Sequence, residues 1–212
     1  MSSIRTNMAL ACQEPRETVT SKEKARLYGF LAGVFGSPPT AESQRALSDM
    51  ATELDIDCPR EFALSELERE FMDLFVVPNP RYVAPYESAY RDSLTLPPGS
   101  EGEAPRTVKR LLMGESTLAV RQCFLEAGVE PMQDLPDHIA NELRLMSHLW
   151  SGEALKSNDG NGQVAEIRSK LREDHLLKWL GELRSKVLQH ERLGFYSAAI
   201  LVVELVLEND LN

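Results

Sequence analysis

Apolar positions recur every three to four residues along most of the chain, the spacing that lines one face of an α-helix. The first such run follows Thr20, which forms a capping box with Glu23: hydroxyl and carboxylate each satisfy a free amide at the helix start. Leu27, Phe30, Leu31, Val34 and Phe35 then supply its stripe. Gly36-Ser37-Pro38-Pro39 ends that helix. Thr40 caps a second, with Ala46, Leu47, Met50, Ala51 and Leu54 on its apolar face and Pro59 closing it off. Ser65 with Glu68 predicts the start of a third, carrying Leu67, Phe71, Leu74 and Phe75.

From 76 to 102 the pattern breaks. Pro78, Pro80, Pro85, Pro97 and Pro98 prevent any long helix, and the residues between them alternate too little to predict strands. Connections longer than about 12–15 residues inside compact domains are commonly functional or mobile. This one also carries Tyr82, Val83, Tyr86 and Tyr90, apolar content that a solvated linker does not need. The helical period resumes near Thr107 and runs, with a break at Gly114, through Leu118, Val120, Cys123, Phe124 and Leu125 to Gly128. Pro131 and Pro136 mark the next joint. Asp137 stands where a cap is needed for a stripe of Ile139, Leu143, Met146, Leu149 and Trp150, ended by residues 157–162. Two further helices are expected over 164–190 and 195–208. All strong patterns have the 3.6 period and none repeats, so the expected fold is all-α. It is a single-domain helical bundle over 20–212 with one long Pro-rich crossing loop, preceded by a flexible leader over 1–19.

Composition narrows the function. A chain of 212 residues, 42% hydrophobic and 26% charged, has the make-up of a globular domain, not of a disordered or membrane-embedded chain. Twenty-three Lys and Arg against 33 Asp and Glu leave a net charge of −10, the wrong sign for a face that neutralises phosphates, so nucleic acid is not an expected partner. The same sign suits a cationic peptide. Cys12, Cys58 and Cys123 are far apart, with neither a Cys-x-x-Cys nor a Cys/His cluster, which predicts no zinc site and a reducing compartment. Residues 1–12 lack the apolar length of a secretory signal, and the apolar run 198–203 is interrupted by Glu204 well short of the roughly 20 residues of a membrane helix. A cytoplasmic protein without stable membrane insertion is expected.

The chemical inventory predicts no catalysis. Phosphate loops, dinucleotide fingerprints, nucleophile elbows and His-Glu-x-x-His are all absent. His138 and Glu142 share a helical face four residues apart, but two groups rarely make a metal or acid–base site, so no metal, cofactor or catalytic residue is expected. His148, His175 and His190 fall at ordinary surface or core-edge positions. Glu66, Glu68 and Glu70 read as a solvated helix face, and Met72, Met113 and Met146 as core filler.

Two segments together are far more specific. Glu70-Phe71-Met72-Asp73-Leu74-Phe75-Val76-Val77-Pro78, followed by Pro85-Tyr86-Glu87-Ser88-Ala89-Tyr90, resembles the first signature of the TorD/DmsD family of redox-enzyme maturation chaperones. Pro136-Asp137-His138-Ile139-Ala140-Asn141-Glu142-Leu143 resembles that family's Pro-Asp-His-x-x-x-Glu-Leu motif, in the same order and at a similar separation. Asp174-His175-Leu176-Leu177-Lys178-Trp179-Leu180 is similar to its late His-Leu-x-x-Trp segment, with Gly181 where proline is frequent.

The resemblance spans about 20–207. It implies an all-helical cytoplasmic chaperone, not an enzyme, that binds a molybdoenzyme catalytic-subunit precursor and its twin-arginine signal peptide and protects the apoenzyme while cofactor is inserted. It makes Leu74, Phe75, Pro85, Tyr86, Glu87, Ser88, Tyr90, Asp137, His138 and Glu142 the candidate partner-binding residues. Such a leader offers two guanidinium groups before an apolar stretch, so its receptor needs an apolar groove flanked by acceptors. Leu74, Phe75, Pro85 and Tyr86 can line the groove, Asp137 can accept from an Arg, and His138 can tune that contact. The same residues have structural uses: Leu74 and Phe75 in the core, Asp137 as a cap, and Tyr86, Glu87 and Ser88 pinning the crossing. Two alternatives stand beside this reading. One is a NarJ-like assembly factor gripping a non-exported catalytic subunit; the other is a nucleotide-hydrolysing helical protein, against which the missing phosphate loop counts. A weak contact with a guanine nucleotide or the molybdenum cofactor also falls within what the resemblance implies.

Overall fold

A computed structural model describes residues 20–58, 62–96, 106–109, 112–132, 135–152 and 160–210. The expected leader, Cys12, Pro59, Pro97, Pro98, Gly102 and part of the 157–162 boundary lie outside the described residues. Helices dominate: α1 (Ser21–Gly36), α2 (Ala41–Glu53), α3 (Leu64–Phe71), α4 (Ser88–Arg91), α5 (Glu115–Ala127), α6 (Ile139–Trp150), α7 (Gly160–Lys170), α8 (Leu177–His190) and α9 (Phe195–Asn209). The domain is all-α, with one small hairpin among the described residues, β1 (Ser93–Leu96) and β2 (Arg106–Lys109).

Local signals set the first starts. Thr20 Oγ1 accepts from Glu23 N at 3.3 Å while Glu23 Oε2 accepts from Thr20 N at 2.8 Å, the reciprocal box read from the sequence. Thr40 does the same with Ser43. The third helix begins earlier than expected, at Leu64, because Glu66, not Glu68, reaches back to a main-chain amide, that of Ala63.

The hairpin and the start of α5 correct the sequence reading. Ser93, Leu94, Thr95 and Leu96 pair antiparallel with Lys109, Val108, Thr107 and Arg106, so residues near Thr107 are strand and α5 waits until Glu115. Leu94 and Leu96 are exposed, so no buried face stamps an alternating pattern on β1. The cap of α5 comes from 24 residues upstream: Asp92 accepts from Ser116 N at 3.0 Å and from Ser116 Oγ at 2.7 Å. Gly128, at φ 70°, closes α5 in the left-handed conformation that glycine adopts without steric cost.

Helix α9 is the centre of the bundle. Phe195, Tyr196, Ala198, Ala199, Ile200, Val202, Val203 and Leu207 are all buried, giving a helix apolar on almost every side. Tyr196 joins Phe35, Phe71 and Phe75 in an aromatic cluster with ring centroids 5.0–6.4 Å apart. Helix α1 lies along α6, where Ser147 Oγ donates to Ala25 O at 2.6 Å and Gly29 faces Ser147. A Cβ on Gly29 would sit 3.2 Å from Ser147 Oγ. Gly29→Val is therefore expected to lower stability by about 1–3 kcal/mol through overpacking, read as a fall in denaturant midpoint at unchanged slope. Among the described residues no helix is long and apolar enough to cross a membrane.

Two helices contain a π-helical turn; the first lies inside a quoted motif and the second overlaps the start of the late one. Met72–Val76 continues α3, and Leu171–Leu176 joins α7 to α8 without a break, so the helix expected over 164–190 is widened midway. The wider turn lets Leu171, Arg172, His175 and Leu176 all face inward.

Candidate partner-binding site

The three motif segments meet in one place. At the first π turn Val77 N bonds to Met72 O at 2.8 Å, and the carbonyl of Leu74 accepts from Val83 N at 2.7 Å, which stitches the crossing back onto its own helix. Arg81 locks the loop between: its guanidinium donates to Asp73 Oδ2 at 2.8 Å, to Glu70 Oε2 at 2.5 Å and to His190 O at 2.8 Å. Glu70 is therefore buried and paired, unlike its exposed neighbours Glu66 and Glu68.

Residues 85–91 then lie against the start of α6. Ile139 N donates to Pro85 O at 2.9 Å and Glu87 N to Asp137 O at 3.0 Å, flanking an isolated bridge between Tyr86 and His138. Asp137 does not cap α6. Its Oδ2 accepts from Ser88 N at 3.0 Å, 49 residues away, and His138 is the cap instead, its Nδ1 accepting from Ala140 N at 3.1 Å. That bond leaves neutral His138 with its proton on Nε2, and protonation of Nδ1 would break the cap. Tyr86 stands edge-on to the His138 ring at 5.0 Å.

The late segment closes the other side. Glu87 Oε2 bonds His175 Nδ1 at 2.9 Å, and Glu87 Oε1 bonds Arg91, whose Nη1 also donates to Asp174 O at 2.6 Å. Tyr90 stacks on Trp179 with centroids 5.4 Å apart and donates to Ala84 O at 2.8 Å. His175 is thus a buried partner of Glu87, not the surface or core-edge residue its spacing suggested.

Beneath these contacts lies Glu142, 0% exposed, with neither carboxylate oxygen hydrogen-bonded among the described residues. Burial pushes its pKa well above the usual carboxylate range, and the charges of Glu87 and Asp137 push the same way. The indole of Trp179 and the charge of Arg91 oppose this and are outweighed. Ser88 Oγ and Asp137 Oδ1 are likewise buried without a hydrogen bond among the described residues. Cys123 is buried too, its thiol raised to about 11 chiefly by desolvation. No group of three or more metal-ligating side chains occurs among the described residues.

The structure therefore gathers the ten sequence-selected residues, but mostly inside. Leu74 and Phe75 sit in the core, and Pro85, Glu87, Ser88, Asp137, His138 and Glu142 are buried. Tyr86 and Tyr90 are half-buried and reach the surface. A cavity of about 110 Å³ opens beside Tyr90, lined also by Tyr82, Val83, Lys186 and His190. Around the first π turn Met72, Val76 and Val77 are exposed, and Met113 is 71% exposed; of the methionines read as core filler, only Met146 is buried. Sequence reasoning missed Arg91, Asp92 and His175. Arg91 was legible as the fourth residue after Glu87 on a helical turn; the pairing of His175, 88 residues from Glu87, had no local signal.

The protein is thus an all-helical bundle whose three motif segments clasp one another around a proline-broken crossing. Residues 37–185 match the family described as nitrate reductase delta subunit. The chain is 30% identical over 200 residues to the chaperone protein TorD of Salmonella agona, covering 92% of this chain and 81% of that one. It is also 30% identical over 187 residues to the TorD chaperones of Salmonella paratyphi B and Salmonella newport, covering 86% of this chain and 75% of each. The chain belongs to this nitrate reductase delta subunit and TorD family of molybdoenzyme maturation chaperones. It is a chaperone and not an enzyme.

Proposed function

We propose that this chaperone acts in the cytoplasm on the precursor of a molybdenum-containing oxidoreductase, binds its twin-arginine signal peptide, and holds the apoenzyme until cofactor is inserted. The observation that carries this reading is the convergence of all three motif segments on the crossing, at Glu87, Asp137, His138 and His175. The half-buried rings of Tyr86 and Tyr90 are its contact surface, supplying rigid aromatic area with a polar tip. On the first π turn, exposed Met72 and Val76, with Val77 after them, offer apolar area for the segment that follows the arginines. The buried motif residues position that surface, and a peptide reaches Asp137 only where the crossing lifts. The net charge of −10 favours a cationic leader.

Titration calorimetry with the leader of a molybdoenzyme encoded beside this chain tests the reading. Binding that weakens at least tenfold when both arginines become lysine is expected, because lysine cannot make the forked contact. Folded protein with no affinity for the leader would contradict it. The match to the nitrate reductase delta subunit family supports a second reading, an assembly factor for a non-exported catalytic subunit, and equal affinity for the arginine and lysine peptides would favour it. On the first reading Tyr86→Ala weakens leader binding about tenfold, with a fall in Tm of only a few degrees, measured by calorimetry and thermal unfolding side by side.

A further inference from the structure

The Glu87 carboxylate is fully buried, yet a surface arginine reaches it. Arg91 leaves the short helix α4 with its side chain 36% exposed and inserts Nη1 between Glu87 Oε1 and the main-chain carbonyl of Asp174, 2.6 Å away. His175 Nδ1 holds the other carboxylate oxygen at 2.9 Å, fixing the acceptor from behind. Among the described residues Arg91 makes no further hydrogen bond, so a forked group is held by one of its nitrogens. A cleft of about 410 Å³ opens directly onto this point. Its charged lining is Arg91, Lys170, His175, Glu115, Asp174 and Asp92, of which Asp92 is committed to capping α5.

We propose that Glu87, His175 and the Asp174 carbonyl form a guanidinium-binding site that Arg91 fills in the free protein and that an external arginine side chain enters through the cleft, displacing Arg91. The site already holds the group it would recognise. An incoming arginine not tethered to α4 can present two parallel N–H groups, a stronger arrangement than the single nitrogen Arg91 uses. The carboxylates of Asp174 and Glu115 at the mouth favour a second cation behind the first, while Lys170 marks the side from which it does not approach. Assigning the incoming group to the client's leader rests on the function proposed above; the site itself does not.

The test uses Arg91→Ala protein and N-acetyl-arginine amide, with N-acetyl-lysine amide as control, followed by calorimetry and by the thermal midpoint. Saturable binding of the arginine amide to Arg91→Ala, at least tenfold weaker in wild type, absent with the lysine amide and abolished in Arg91→Ala/Glu87→Gln, is the expected result. No saturation in Arg91→Ala, or an equal response in wild type and the double variant, overturns the site. Should Arg91→Ala fail to fold, Arg91→Lys is titrated in the same way, and the same two outcomes decide. Leader binding that fails in wild type while the arginine amide saturates Arg91→Ala contradicts the proposed function and leaves this site standing.

Discussion

Glu87→Ala is expected to destabilise the fold by about 1–3 kcal/mol, the range for leaving a buried hydrogen-bonding group without its partner. The side chain is 0% exposed and ties together two segments: its own, through Arg91, and the late motif, through His175 and the Asp174 carbonyl that shares Arg91. Its removal leaves the buried His175 Nδ1 without its partner. Urea titration of the two proteins checks this, with the loss appearing in the midpoint and not in the slope. A change within about 0.5 kcal/mol would mean that the two segments do not depend on this contact.

Glu142→Gln is expected to do the opposite and to stabilise the protein, by an amount that grows with pH. In the folded chain burial, with Glu87 and Asp137 close by, lifts the Glu142 pKa well above its unfolded value. The folded state thus binds the proton more tightly than the unfolded state. Below the unfolded pKa both states are protonated and nothing is lost. As pH rises from there through the folded pKa, stability falls by up to about 1.4 kcal/mol per unit. Glutamine keeps the shape and never ionises, so the variant lacks this decline. Denaturant midpoints at pH 5 and pH 8 are the measurement: the gain should be larger at pH 8, and a gain independent of pH would show that Glu142 does not titrate in this way.

What could be read from the sequence was local. Thr20 with Glu23, the stripe of α1 and the glycine after α5 each act within a few residues of themselves, so their pattern survives in one dimension. The start of α6 was legible in position but not in chemistry: Asp137 has the composition of a cap, yet Ser88 N, brought alongside by the crossing, takes its carboxylate, and the imidazole of His138 caps instead. Likewise α5 borrows its cap from Asp92 across the hairpin, and no local rule finds an acceptor 24 residues away. The first strand of the hairpin escaped notice because neither of its faces is buried, and burial is what writes alternation into a strand. The clasp was legible only as a set of quoted motifs. Of the acidic run read as solvated, Glu70 is buried, and so are the partner-binding candidates Glu87 and Glu142: Glu70 and Glu87 are paired with arginines, and Glu142 has no hydrogen bond among the described residues. A carboxylate inside a helical bundle is stable only through partners or through a proton; the i, i+4 pair of Glu87 with Arg91 shows in the spacing, whereas His175 and the proton of Glu142 do not.

Hydrogen exchange on the chaperone with and without the leader peptide tests the central claim most directly. A leader that binds should slow exchange at amides of 82–91 and at the start of α6, the segments joined by Pro85, Glu87, Asp137 and Ile139, while α9 at the bundle centre stays unchanged. A leader that binds with its protection confined to other faces of the bundle would contradict the account.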